Sequence, residues 1–162
     1  MNENVVELKN ILTEELSVYQ KLLELAKDKT KLLVDRKLTE LQATVEQEEN
    51  LVQRLIELEP LRQEQVNAIV GEPIIKLDVL VGKLSDESLK NELISIGSKL
   101  REVVEEIRVI NEGNQRLAQV GLEVAQHTIK IMTKAPKPVT YGPGGSKSNT
   151  SLRGRSLFDH KA

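Results

Sequence analysis

The side chains capable of chemistry are few and badly placed for it. The histidines are His127 and His160, and neither has a second ligand at metal-binding spacing. His127 reads as a partly exposed helix residue. The acidic pairs Glu48-Glu49 and Glu105-Glu106 fall on charged helix faces, with no pocket to raise a carboxyl pKa for acid–base work. GGSKS in the C-terminal stretch has Ser146 where a phosphate loop needs glycine before Lys147, and no strand precedes it. Asn149-Thr150-Ser151 matches a glycosylation acceptor, which is expected to carry no meaning in a chain read as intracellular. There is no cysteine, so no disulfide or thiolate chemistry. No catalytic residue, cofactor or metal is expected, and the reading is a non-enzyme whose chemistry is non-covalent binding.

The elements that would present a binding surface are helices. The chain has 162 residues, enough for one ordinary domain. Hydrophobic residues make up 39% and charged residues 30%, and the aromatics are Tyr19, Tyr141 and Phe158. That balance suits long, slim helices better than a deep mixed core. The first ten residues lack the basic start and apolar stretch of a signal peptide. No apolar run reaches the length of a membrane span. The expectation is a soluble, cytoplasmic protein without membrane insertion.

The net charge of −2 conceals an asymmetry. From Lys134 onward six basic residues face one acid, leaving 17 basic and 24 acidic residues before it, so the body carries about −7 and the tail about +5. The tail charges are sparse. They read as a solvated segment loosely attracted to its own body rather than as a nucleic-acid or membrane site.

Hydrophobic spacing predicts helices over about 4–34, 36–70 and 86–133, with a short connector helix over about 73–81. Together they make an all-α, elongated, antiparallel three-helix bundle over 1–133 with coiled-coil-like seams. Residues 134–162, rich in Pro, Gly, Ser and basic residues, are expected to form a flexible tail, disordered when free. In the first helix one seam collects Val5, Leu8, Leu12, Tyr19, Leu22, Ala26 and Leu33, and Ile11, Val18, Leu25 and Leu32 flank it. A face that wide should meet two neighbours. Asp35 is expected to cap the second helix. That helix carries Leu38, Leu41, Val45, Val52 and Leu55 on its seam, bends at Pro60 and closes at Gly71. Ser85 is expected to cap the third.

The third long helix shows the clearest period. Leu89, Ile96, Val103, Ile110, Leu117, Val124 and Ile131 recur every seventh residue. The companion position reads Leu93, Leu100 and Ile107, then Asn114, Gly121 and Thr128. At about 72 Å this helix is longer than its neighbours, at about 45–52 Å. Its last dozen residues, from near Val120, are therefore expected to project. On that part Leu117, Ala118, Leu122, Val124, Ala125, Ile129 and Met132 form an apolar stripe with small residues that admit a second helix. It reads as a docking face for a helical partner segment, or else as ordinary core or a dimer seam. Membrane-surface binding is a weaker reading, because the opposite face has too few Lys and Arg.

The stretch INEGNQRL (Ile110–Leu117) resembles the segment "LN..NQ.L" of the long last helix of FlgN-type flagellar export chaperones. TYGPGG (Thr140–Gly145) and the closing SLFDHKA (Ser156–Ala162) resemble the C-terminal pattern of many members. The resemblance covers essentially the whole chain, and its specific marks are Asn111, Asn114 and the tail pattern. Pro60 and the connector GEPIIKLDVLVG depart from it. The resemblance implies a chaperone that binds hook-associated (hook–filament junction) proteins in the cytoplasm, prevents premature assembly and delivers them to the type III export apparatus. It implies that the client segment packs on the C-terminal part of the last helix, over the stripe named above. It also implies a C-terminal tyrosine that contacts the export gate, for which Tyr141 is the candidate. A chaperone predicts a monomer or weak self-associate; a self-assembling structural coiled coil using the same stripe predicts a stable homodimer.

Overall fold

A computed structural model describes residues 2–72 and 75–134, with the backbone alone for Lys134. All regular structure among these residues is helical: α1 (Asn2–Val34), α2 (Leu38–Val70), α3 (Leu77–Gly82) and α4 (Glu87–Lys134). The chain divides into two compact units, Met1–Ala118 and Gln119–Ala162.

The first unit is a helical bundle built on α1. Val5, Leu8, Ile11, Leu12, Leu16, Val18, Leu23 and Ala26 of α1 are buried, a face wide enough for two neighbours. On one side α2 runs antiparallel, since Glu14 pairs with Arg54 while Lys29 reaches Glu48 at 3.1 Å further along α1. On the other side α4 runs parallel to α1. Lys9 meets Glu92 at 2.9 Å near one end, and Ala26 meets Asn114 at 3.0 Å further along. These ion pairs keep some contact with solvent and add little stability. The apolar core holds the unit. Val5, Leu8 and Leu12 pack with Val66 and Ile69 of α2, Leu80 and Val81 of α3, and Leu84 and Leu93 beside and on α4. Enclosing each such side chain contributes about 1.5–3 kcal/mol.

Local structure departs from the sequence expectation at four places. Asp35 does not cap α2. Its N–H still donates to Lys31 O at 2.9 Å, so it belongs to the last turn of α1. The reversal is made by Arg36, with φ of 56°, and by the bonds Arg36 N to Leu33 O (3.3 Å) and Lys37 N to Leu32 O (2.9 Å). This is a Schellman ending with arginine in the position glycine usually fills. Lys37 then precedes α2 without a side-chain cap. On α2, Val45 and Val52 are exposed rather than core, and Thr44, Leu58, Val66 and Ile69 take the buried positions. The packed face is rotated because α2 leans on α1 alone along its first half.

The connector helix spans Leu77–Gly82, and Ile75 and Lys76 before it are not helical. Lys76 is extended, and its carbonyl accepts from both Val79 and Leu80 at 3.1 Å, which starts the helix after it. Pro73 and Ile74 lie outside the described residues. Leu77 packs on Gly97 of α4 so closely that a methyl group there would stand 2.5 Å from Leu77 Cδ2. Finally, Asp86 rather than Ser85 caps α4. Its carboxylate accepts from Ser88 N at 3.0 Å and Leu89 N at 3.2 Å, which meets two of the free N–H groups of the first turn. By contrast α2 continues through Pro60 as one helix and ends at Gly71 (φ 82°), whose N–H bonds Asn67 O at 2.8 Å.

Candidate functional site

Asn114 marks the place where the apolar seam of α4 gives way, and it is buried, at 5% exposure. Its Nδ2 donates to Ala26 O at 3.0 Å, and its Oδ1 accepts from Thr30 Oγ1 at 2.6 Å. Thr30 Oγ1 also lies 3.2 Å from Ala26 O. The amide therefore clamps α4 to one turn of α1, and both of its polar atoms are satisfied. The sequence pattern alone treats Asn114 as the loss of a packing position. Asn111, three residues earlier, is half-buried, and its Oδ1 has no hydrogen-bond partner among the described residues.

Beyond this clamp the apolar stripe lies open. Leu117 is 37% exposed and Ala118 is exposed at the end of the first unit. In the second unit Leu122 is half-buried, Ala125 is exposed, and Val124, Ile129 and Met132 stand 40%, 60% and 75% exposed. Leu122, Ala125, Ile129 and Met132 follow a 3–4–3 spacing that aligns them on one face of the helix. Val124 and Ile131 form an adjacent row. Thr128 and Thr133 turn their hydroxyls onto their own helix, to Val124 O at 3.0 Å and Ile129 O at 2.8 Å. That leaves their methyl groups as further apolar surface. Glu123, Gln126, His127 and Lys130 occupy the remainder, and Gln119 bonds Glu123 at 3.2 Å.

The seven predicted docking residues thus share one helix, six of them exposed. The structure does not bring them to a pocket. A hollow lined by Asn2, Val5, Leu84, Ser85, Asp86 and Leu89 encloses about 10 Å³, room for one water at most. No group of three His, Cys, Asp or Glu residues among the described residues is placed to hold a metal. No helix among them is long and apolar enough to cross a membrane. Tyr141 and the tail patterns TYGPGG and SLFDHKA lie outside the described residues.

One polar cluster was not legible in the sequence. Glu15 is buried between α1 and α2, 3.9 Å from Arg62. Burial pushes its carboxyl above the usual range, and the Arg62 charge only partly offsets this. Arg62 is committed to Glu59, with Nε–Oε2 at 3.0 Å and Nη2–Oε1 at 2.6 Å, and this holds the Glu59 carboxyl below its usual range. Burial likewise raises the Tyr19 hydroxyl. These groups sit on successive turns of the α1–α2 contact, and their signal was only an acid within an apolar seam.

No curated protein and no solved structure matches the chain. The family model described as "FlgN protein" matches residues 1–149. With all three long helices, the clamp asparagine and the open stripe inside that match, the chain belongs to the FlgN family of flagellar export chaperones.

Proposed function

We infer that the chain binds hook-associated proteins of the hook–filament junction in the cytoplasm, keeps them from assembling early and hands them to the flagellar type III export apparatus. The observation that carries this reading is the open stripe of α4. Leu117, Ala118, Leu122, Val124, Ala125, Ile129 and Met132 offer an apolar row in which alanines leave room for an approaching client helix. A helix laid in that row would bury side chains now held in water, at about 1.5–3 kcal/mol for each large one fully covered. Tyr141 is the proposed contact with the export gate. It lies nine residues after Met132 in the sequence.

Co-purification with hook-associated proteins tests the reading, with the full chain compared against a version ending at Val120. The full chain should retain the client and the shortened one should release it. Equal retention by both would place the client elsewhere. The same stripe could join two copies of the chain, and light scattering separates the cases. A monomer that forms a mixed complex fits the chaperone. A stable homodimer lost on charging Leu122 and Ile129 would favour a structural coiled coil.

A further inference from the structure

The first half of α2 carries a second apolar row, which client binding on α4 leaves unused. Leu38, Val45, Val52 and Ile56 are 74%, 37%, 44% and 59% exposed. At 100° per residue they fall within an arc of about 40°. The packed face of α2, through Thr44 and Leu58, lies about a third of a turn away. Along the helix Glu49 stands between Val45 and Val52, about 20° outside that arc, and Glu46 stands about 80° from its edge; both are exposed. Neighbouring acids are compensated: Glu48 by Lys29 at 3.1 Å, Glu57 by Arg54 at 3.2 Å and Glu40 by Lys37 at 4.0 Å. Glu46 and Glu49 have no ion-pair partner among the described residues, and no Lys or Arg occurs from Leu41 to Gln53.

We propose that this face of α2 docks a basic amphipathic helix of a partner protein, whose apolar side chains lie over Val45, Val52 and Ile56 and whose Lys or Arg reaches Glu49. The apolar row supplies the contact and the uncompensated Glu49 beside it selects the sign of the partner. A second copy of the chain fits poorly. A two-fold axis at the middle of the row would set Glu46 and Glu49 against their own counterparts, and like charges opposed in this way repel. An anionic membrane surface meets the same repulsion. The two docking rows share no residue, so a partner held here does not compete for the side chains that hold a client.

The test uses the full chain with labelled Val, Leu and Ile methyl groups. The probes are two synthetic 21-residue amphipathic helices, identical except that one carries Lys and the other Glu beside its leucine row. The Lys peptide should shift the methyl signals of Val45, Val52 and Ile56 and bind about tenfold tighter than the Glu peptide. Glu46→Lys with Glu49→Lys should reverse that preference without unfolding the chain, since both side chains are exposed. Equal binding of both peptides overturns the proposal, as does an unreversed preference, or shifts confined to residues 117–132. A dimer in sedimentation that Val45→Asp dissociates also overturns it, because the occupant is then a second copy.

Discussion

Asn114 sits where a leucine would continue the seam of α4, and its burial has a different use from that of a leucine. Its amide fixes α4 to one turn of α1 through Ala26 and Thr30, and a polar group enclosed in an apolar seam favours a single register. Asn114→Ala removes both bonds and leaves a gap, so it should lower stability by about 1–3 kcal/mol in a denaturant titration. Asn114→Leu fills the site and should cost less, while amide exchange in α4 near the site rises as the register loosens. Equal loss in both variants would mean that packing alone matters here. Glu15 behaves in the opposite way. An acid whose folded pKa is raised binds its proton more tightly in the folded state. Its unfavourable share therefore sets in as pH rises from about the ordinary value of 4.5 through the raised value, and is complete above that. Glu15→Gln should gain about 1 kcal/mol over the natural chain at pH 7, with the gain shrinking as pH falls toward 4. A gain that does not change with pH would rule out the charge as its cause. The spacing of Asn114 announced a polar break in a seam. It could not announce the partner, because Ala26 offers a backbone carbonyl and carries no sequence mark.

At the scale of elements, helix type and order follow from periodicity, since heptad spacing sustained over many turns fits no strand. Caps and faces were harder to read. Asp86 and Ser85 are both good cap residues, and Asp35 and Arg36 compete for one reversal. Which of them serves depends on where the neighbouring turn closes, a matter of a single backbone bond. The face of α2 is ambiguous in the sequence for a related reason: Val45 and Val52 keep a clean seven-residue period, yet only the position of α1 decides whether that row is covered. The contact of α3 with α4 shows how strongly one position can set such packing. Leu77 rests on Gly97, where any side chain would intrude. Gly97→Ala gains up to about 1 kcal/mol of helix propensity and needs only the flexible end of Leu77 to move. Gly97→Leu must displace Leu77 altogether and should cost about 1–3 kcal/mol, as overpacking does. Thermal unfolding of the two variants checks this. A Leu variant as stable as the Ala one would show that α3 is not held against Gly97.

For the whole molecule, the residues that hold the fold and those proposed to hold a client belong to different sets. The core is gathered from the start of α1, the end of α2, α3 and the start of α4, and all of it lies in the unit Met1–Ala118. The large exposed side chains Ile129 and Met132 lie in the other unit, Gln119–Ala162, and contribute nothing to that core. Stability and capture should therefore separate by mutation. Ile129→Asp with Met132→Asp replaces exposed side chains, so the change in stability should stay within about 0.5 kcal/mol per site. Capture of a hook-associated protein should fall at least tenfold, as expected for two apolar anchors lost from a docking row. Leu93→Ala opens a cavity in the core and should cost about 2–5 kcal/mol, lowering Tm by roughly 10 °C. Capture measured well below that lowered Tm should stay near the natural level. If Leu93→Ala abolishes capture while the chain is still folded, or the paired aspartates unfold it, fold and docking are not separable and the stripe is part of the core. Light scattering on the aspartate variant closes the remaining gap. A monomer before and after the change ties the lost capture to the client, whereas a dimer that dissociates ties it to self-association.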